Sequence, residues 1–322
     1  MAAPFRIGLI GAGRWGQNYI RTIAGLEGVV LTRISTRNPE AASLAPHGCV
    51  VVAAWQDILD RRSVDGVIVA SPPASHAQIA RAAIEAGLPV LVEKPLSLDL
   101  AEAQALQGLT HARGGLVMVD HTHLFHPAFR ALKQAVPRHG AIRAIRSAAG
   151  NLGPFRADAP VLWDWGPHDV AMCIDLLERS PVRVEAVILE QRSTPDGQGQ
   201  IIELHLEFPG SVPVRTVIGN IMPKQRVFAV FLDEGALVYD DLAASKLVFV
   251  AGAGARHDVP RGGGRPLPIG SEPPLTCAVR EFARAATELR ANMRSLDLAV
   301  DVVRVLAKAQ DYFQQAQCPI GR

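Results

Sequence analysis

The sequence predicts an α/β protein in two parts, and three observations carry that reading. Up to residue 119, short and almost wholly apolar segments alternate with amphipathic ones, the mark of a parallel sheet covered on both faces. From Ala141 onward strand-like stretches dominate, and several alternate with period two, as in 201–208 and 227–231. One face of that second sheet is therefore buried and the other partly wet. At 322 residues and 48% hydrophobic composition, the chain is long enough for two ordinary domains with sizeable cores. The change of pattern near His121 to Pro127 divides residues 1–122 from 123–322.

The elements follow in order. Phe5-Arg6-Ile7-Gly8-Leu9-Ile10 forms a first strand and 15–26 a first helix. A second strand spans 29–35, and Pro39 opens a short helix, because a first-turn position does not need its missing N–H. Residues 50–52 make a third strand, 57–60 a helical turn and 64–70 a fourth strand. The helix over 74–86 stops at Gly87, a residue type that ends helices readily. A fifth strand over 89–92, a helix over 98–112 and a sixth strand over 116–119 complete the alternation. In the second part 124–135 is helical, and 161–177 reads as a loop followed by a helix. Residues 251–274 are rich in Gly, Pro and Arg and are expected as a long loop, with two helices after it near 275–290 and 296–316.

Composition excludes several classes. A formal charge of +2 without a concentrated basic run gives no nucleic-acid footprint. Cys49, Cys173, Cys277 and Cys318 form no Cys-x-x-Cys pair, which argues against a disulfide framework or zinc knuckle and fits a reducing cytosol. The first residues lack the charged and apolar regions of a signal peptide. No run reaches the ~18 apolar residues of a membrane span. The expectation is a cytoplasmic protein that binds neither membrane nor nucleic acid.

Gly11-Ala12-Gly13-Arg14-Trp15-Gly16 follows the first strand and opens the first helix. In that context the glycines let backbone approach a pyrophosphate while the helix N-terminus attracts its charge. A dinucleotide is the expected cofactor. NAD sites usually carry an acid at the end of the second strand. Here the segment is Ile34-Ser35-Thr36-Arg37-Asn38-Pro39. Two hydroxyls and an arginine can instead hold a ribose 2′-phosphate by charge-assisted hydrogen bonds. NADP is therefore expected in preference to NAD, although a merely solvated Arg37 stays open. The fourth strand ends in Ser71-Pro72-Pro73-Ala74-Ser75-His76, where two prolines fix an extended turn. His76 faces either the cofactor or solvent.

Of 33 basic residues only five are lysine, and Lys94 lies in Val92-Glu93-Lys94-Pro95 at the end of the fifth strand. Open α/β sheets bind ligands at that end, and lysine exchanges protons readily when desolvated. The run His121-x-His123-x-x-His126 invites a metal reading. Only Asp120 stands nearby to complete a ligand set, so no metal is expected.

The glycine loop, the Ser71-Pro72-Pro73-Ala74-Ser75-His76 turn and Glu93-Lys94-Pro95, in this order and spacing, resemble the Gfo/Idh/MocA oxidoreductase family. Trp163-Asp164-Trp165-Gly166-Pro167-His168-Asp169-Val170-Ala171 is similar to that family's Asp-x-Gly-x-His-x-x-Asp signature. Asp164, Gly166 and His168 are in place, while Ala171 replaces the second acid. The resemblance covers nearly the whole chain. It implies a Rossmann domain followed by an α+β domain with a large open, mostly antiparallel sheet, through which members form dimers or tetramers.

The resemblance also implies roles. His168 carries the proton, and Lys94 binds the substrate hydroxyl, tunes His168 and contacts the nicotinamide ribose, the two forming a donor pair on the substrate oxygen. Asp164 binds a sugar hydroxyl or orients the imidazole. Glu93 anchors the strand end and the ribose. Thr122 lies against the nicotinamide amide, and His123 and Arg226 lie toward substrate. Trp163 and Trp165 either stack on a sugar face or pack in the core. The implied activity is hydride transfer between NAD(P) and a secondary alcohol or ketone of a sugar, cyclitol or nucleotide-linked sugar. The alternatives are an NAD-dependent glycosidase on the same fold, with no net cofactor turnover, and a non-catalytic NADP-binding sensor.

Overall fold

The computed structural model describes residues 3–195, 197–252, 259–260, 263–288 and 293–317, so Cys318 lies outside the described residues. The chain divides into two compact units. One comprises Met1–Thr122 with Glu272–Val303, the other His123–Ser271 with Arg304–Arg322.

The first unit is a doubly wound sheet. Strands β1 (Phe5–Ile10), β2 (Val29–Ser35), β3 (Val50–Val52), β4 (Gly66–Val69), β5 (Val90–Glu93) and β6 (Val117–Asp120) lie in the order β3-β2-β1-β4-β5-β6. Every pairing is parallel. Helices α1 (Gly16–Ala24), α2 (Pro39–Ala42), α3 (His76–Glu85) and α4 (Leu100–Arg113) connect the strands. All residues of β4, β5 and β6 are buried, which is why these strands read as apolar runs up to the acids that end β5 and β6. Asp99 caps α4, its carboxylate accepting from the Glu102 N–H at 2.8 Å, and left-handed Gly114 ends it.

Helix α7 (Pro274–Thr287) belongs to this unit and not, as the sequence suggests, with the second part. Its Phe282 meets Phe5 of β1 edge-on, ring centroids 6.0 Å apart. A Cβ on Gly66 would come within 3.0 Å of the Phe282 ring. Sequence position cannot reveal such a return, because only packing decides it.

The second unit carries an eight-stranded sheet in the order β14-β13-β12-β11-β7-β10-β9-β8. Its strands are β7 (Ile142–Leu152), β8 (Arg183–Thr194), β9 (Gly197–Phe208), β10 (Val212–Gly219), β11 (Ile221–Leu232), β12 (Gly235–Asp240), β13 (Leu247–Ala251) and β14 (Arg265–Pro266). All pairings are antiparallel except β10 with β7. Helices α5 (Pro127–Ala135) and α6 (Val161–Leu177) also belong to this unit. The final helix α8 (Met293–Gln317) begins in the first unit and ends in the second.

Three expectations need correction. The stretch 161–177 is one continuous helix, with Pro167 inside it. Gly166 lets that helix approach α8, since a Cβ there would lie 2.8 Å from Leu306. Helix α5 starts later than expected, at Pro127, because His126 Nδ1 accepts from the Ala128 N–H at 3.0 Å and proline fills the first helical position. Within 251–274, Arg265–Pro266 adds a short edge strand to β13, while 253–258 and 261–262 lie outside the described residues.

Candidate active site

In the first unit the candidate residues gather at the carboxyl ends of the parallel strands. The glycine loop follows β1, and its three glycines have three different reasons. Gly11 has φ +93°, and a Cβ there would fall 2.6 Å from the Ala70 carbonyl oxygen. A Cβ on Gly16 would run into the carbonyl oxygen of Gly11. Both are demanded by the chain itself, one for the turn and one for helix–strand approach. A Cβ on Gly13 would meet nothing within 4 Å. Nothing in the polypeptide requires glycine there, whereas a backbone that a pyrophosphate must approach does. Trp15 at the start of α1 supplies no side-chain cap, and the first turn holds no acid, so that helix end suits an anion. The cradle therefore fits a dinucleotide.

At the end of β2 the three proposed phosphate ligands separate. Ser35 is buried, and its hydroxyl donates to the Ala53 carbonyl at 3.3 Å. Thr36 Oγ1 accepts from the Asn38 N–H at 3.1 Å. Arg37 is exposed. Ser35 is thus turned into the fold, leaving Thr36 and Arg37 at the strand end.

After β4, Ser71 Oγ and Ser75 Oγ are 2.7 Å apart, and Pro72 and Pro73 shape the turn. His76 does not line an open face: it is 1% exposed. Its Nδ1 lies 2.7 Å from the Pro95 carbonyl and its Nε2 2.8 Å from the Ser71 carbonyl. It braces the β4 turn against the loop that carries Lys94, so any effect on a cofactor passes through those loops.

Lys94 is half-buried where β5 ends. Beside it lies a cluster that sequence reading overlooks. Glu93 and Asp120 are register partners on neighbouring strands. The Tyr19 hydroxyl of α1 sits 2.7 Å from Glu93 Oε1 and 2.7 Å from Asp120 Oδ2. Burial, then the charge of Asp120, raises the Glu93 carboxyl well above its ordinary range, against the pull of Tyr19 and Lys94. Burial likewise raises Asp120. His121 is 2% exposed, and burial together with the Lys94 charge lowers its imidazole to about 3. Its Nδ1 has no hydrogen-bond partner among the described residues. Thr122 opens the turn that follows β6, its hydroxyl beside Asp120. The one available clue was that Glu93 and Asp120 both stand at the ends of apolar strands.

In the second unit Asp164 and His168 stand one helical turn apart on α6 and so share a face. Asp164 Oδ1 accepts from Arg156 at 3.0 Å, and Arg156 also grips Asp158 at 2.7 Å. The His168 ring meets His123 edge-on at 5.2 Å, and His123 Nδ1 is 2.9 Å from the Tyr239 hydroxyl. Burial first, then Asp241, raises the Tyr239 phenol, which stays protonated. Strand β12 is buried from Gly235 through Tyr239, but Tyr239's partner His123 is remote in sequence. His126 is spent on capping α5 and on Asp241, 3.3 Å from its Nε2. Among the described residues no group of three or more His, Cys, Asp or Glu is arranged to hold a metal.

The two tryptophans, open between stacking on a sugar face and packing in the core, are both buried. Trp163 is 3% exposed and its indole N–H donates to Gln310 Oε1 at 2.6 Å, so it is a packing residue. Trp165 is buried with the Arg226 guanidinium 4.9 Å from its ring centre. Asp169 is also buried, with its carboxyl pushed up to about 6 by desolvation, against the pull of Ser147 and Arg226. Ala171 is fully buried, so the position of the missing acid is apolar here.

Residues 5–121 match the family model for Gfo/Idh/MocA oxidoreductases, described as an NAD-binding Rossmann fold. The chain is 32% identical over 187 residues to a UDP-N-acetylglucosamine 3-dehydrogenase of Acidithiobacillus ferrooxidans, covering 56% of this chain and 57% of that one. It is 33% identical over 137 residues to inositol 2-dehydrogenase 1 of Saccharopolyspora erythraea, 41% of each chain. The chain thus spans about half the length of the curated relatives it matches. A solved structure from Magnetospirillum magnetotacticum MS-1, described only as an oxidoreductase, is 45% identical. It covers 95% of this chain and 100% of that one with a TM-score of 0.92. The solved Acidithiobacillus dehydrogenase shares the fold, with a TM-score of 0.81 over 97% of this chain and 98% of that one at 22% identity. Among the described residues no helix is long and apolar enough to cross a membrane.

Proposed function

Because this chain belongs to the Gfo/Idh/MocA oxidoreductase family, we propose that it is an NAD(P)-dependent dehydrogenase or reductase of a sugar, cyclitol or nucleotide-linked sugar. The open space at Gly13, between two glycines that the fold itself requires, is the observation that carries the reading. Two relatives named as a nucleotide-sugar dehydrogenase and an inositol dehydrogenase support the substrate class. The bound nicotinamide supplies hydride chemistry that no side chain can.

The chain's own residues supply the rest. Gly11, Gly13 and Gly16 with the start of α1 bind the pyrophosphate, and Arg14 and Trp15 border it. Thr36 and Arg37 favour a 2′-phosphate, hence NADP over NAD. Pro72, Pro73, Glu93 and Thr122 shape the cofactor side. The Lys94 ammonium binds the substrate oxygen and stabilises negative charge on it. His168 carries the proton, a task suited to an imidazole near neutral pH. His123, held by Tyr239, and Asp164, held by Arg156, present polar atoms to substrate hydroxyls, and Arg226 on Trp165 sets specificity. The protein works in the cytoplasm as a homodimer or homotetramer. Exposed Val187 and Leu189 on β8 support the second unit's sheet as the surface of assembly.

Absorbance of the reduced cofactor, followed across free sugars, inositols and nucleotide sugars, tests the proposal. At least one compound should give sustained turnover. Lys94→Ala and His168→Ala should each lose at least about a hundredfold in kcat, as expected for a lost charge-stabilising donor and a lost proton-transfer group respectively, with NADPH affinity kept. Near-normal kcat in either variant overturns its role, and hydrolysis without a cofactor signal overturns the dehydrogenase.

A further inference from the structure

The buried contact of Tyr19 with two carboxyls has a count built into it. A phenol carries one hydrogen. At 2.7 Å from both Glu93 Oε1 and Asp120 Oδ2, it can donate to one of them only. The second carboxyl oxygen would face the phenol's lone pairs unless that carboxyl carried a hydrogen to donate back. Tyr19 is 0% exposed, Asp120 0% and Glu93 6%, so bulk water does not supply the difference.

The surroundings point the same way. From α1 comes Tyr19, and from the residue before that helix the Trp15 indole, both uncharged. From β5 comes Lys94, whose positive charge acts on Glu93, Asp120 and His121. From the end of β6 come His121, kept neutral by burial, and the Thr122 hydroxyl. From α8, Ser295 brings a hydroxyl that accepts from the Val119 N–H at 3.0 Å. Two buried carboxylates answered by one ammonium would leave one negative charge uncompensated, which is costly out of water. One shared hydrogen removes that charge, as in other close carboxyl pairs.

We propose that Glu93 and Asp120 share a single proton bridged by Tyr19, and act as a positioning unit that presents Lys94 with one negative charge instead of two. This part rests on the role proposed for Lys94. A doubly charged pair would hold the ammonium so tightly that it could not shift toward a substrate oxygen. An uncharged pair would leave it without a counter-charge. Apart from the cofactor side that Glu93 borders, the unit touches neither substrate nor reacting atoms in this scheme, and its effect on the proton chemistry passes through Lys94.

Infrared spectroscopy of the cofactor-free protein at about pH 7.5, where ordinary carboxyls are ionised, tests the proton count directly. A carbonyl stretch of a protonated carboxyl should be present, and Glu93→Gln or Asp120→Asn should each abolish it. In each variant the amide replaces the neutral partner and the remaining carboxyl ionises. Absence of the band in the wild type, or its survival in both variants, overturns the proposal. This readout needs no turnover, so a protein inactive toward every sugar would refute the function and leave the proton count standing.

The pH profile of kcat/KM tests the link to Lys94. Whatever the height of the profile, each single variant should leave its base-side limb in place, because the net charge beside Lys94 is unchanged. The double variant should move that limb about one pH unit or more toward acid, the effect expected for losing a neighbouring opposite charge. A shift in each single variant as large as half that of the double means that both carboxylates were charged, and refutes the idea.

Discussion

Gly13→Ala separates a cofactor cradle from a tight turn that merely needs small residues. A Cβ at Gly13 meets nothing within 4 Å, and Gly13 is not among the positive-φ glycines. The methyl group therefore costs the folded chain nothing, and by restricting the unfolded chain it should stabilise the protein by roughly 0.4–1 kcal/mol. In a chain of this size that is a rise of only a few degrees in Tm. A pyrophosphate lying against the Gly13 backbone would meet the methyl group directly. Overpacking of that kind costs about 1–3 kcal/mol, which corresponds to about 5- to 150-fold weaker binding. Trp15, 44% exposed two residues away, provides the assay, since its fluorescence should respond to NADPH titration. Thermal melting of the same samples gives the stability. Gly16→Ala is the control, because its Cβ would strike the Gly11 carbonyl oxygen and should lower both stability and affinity. The reasoning fails if Gly13→Ala binds NADPH as tightly as the wild type, or if it melts well below it.

Two further outcomes follow from the first unit. Arg37→Ala should weaken NADPH by about tenfold or more, the worth of a charged hydrogen bond, and leave NADH within about twofold. Equal losses for both would remove Arg37 from the 2′-phosphate. His121 gives a pH dependence of stability: its folded value of about 3 lies below the ordinary 6.5, so the unfolded chain takes up the proton first. The stabilisation is complete above pH 6.5 and is lost as pH falls toward 3. From about pH 8 to pH 5 the stability advantage of the wild type over His121→Asn should shrink by about 2 kcal/mol. Chemical denaturation at the two pH values measures it, and a constant difference would contradict the neutral buried imidazole.

Much of the candidate site was legible because its parts are local. A glycine loop between strand and helix, and a lysine at the end of an apolar strand, are patterns within a few residues. Asp164 and His168 were legible for the same reason, and α6 then placed them on one face. The open alternatives were decided where a side chain's partner is distant in sequence. Trp163 could stack on a sugar or pack in the core until Gln310 took its N–H, and His76 could face the cofactor or solvent until the Ser71 and Pro95 carbonyls claimed its ring. Ser35 likewise turned inward to Ala53. Each side chain follows its strongest available hydrogen bond, and sequence spacing does not record where that bond will be found.

The sequence by itself determined the α/β class, the parallel strands buried on both faces, the dinucleotide loop and the family, because periodicity and short motifs are properties of neighbouring residues. Only the tertiary structure decided that α7 packs with the first unit through Phe282 and Phe5. It alone brought Tyr19, Glu93 and Asp120, far apart along the chain, to one buried point at hydrogen-bonding distance. Burial is what turns those three ordinary side chains into a unit that must share a proton, and burial is a property of the fold.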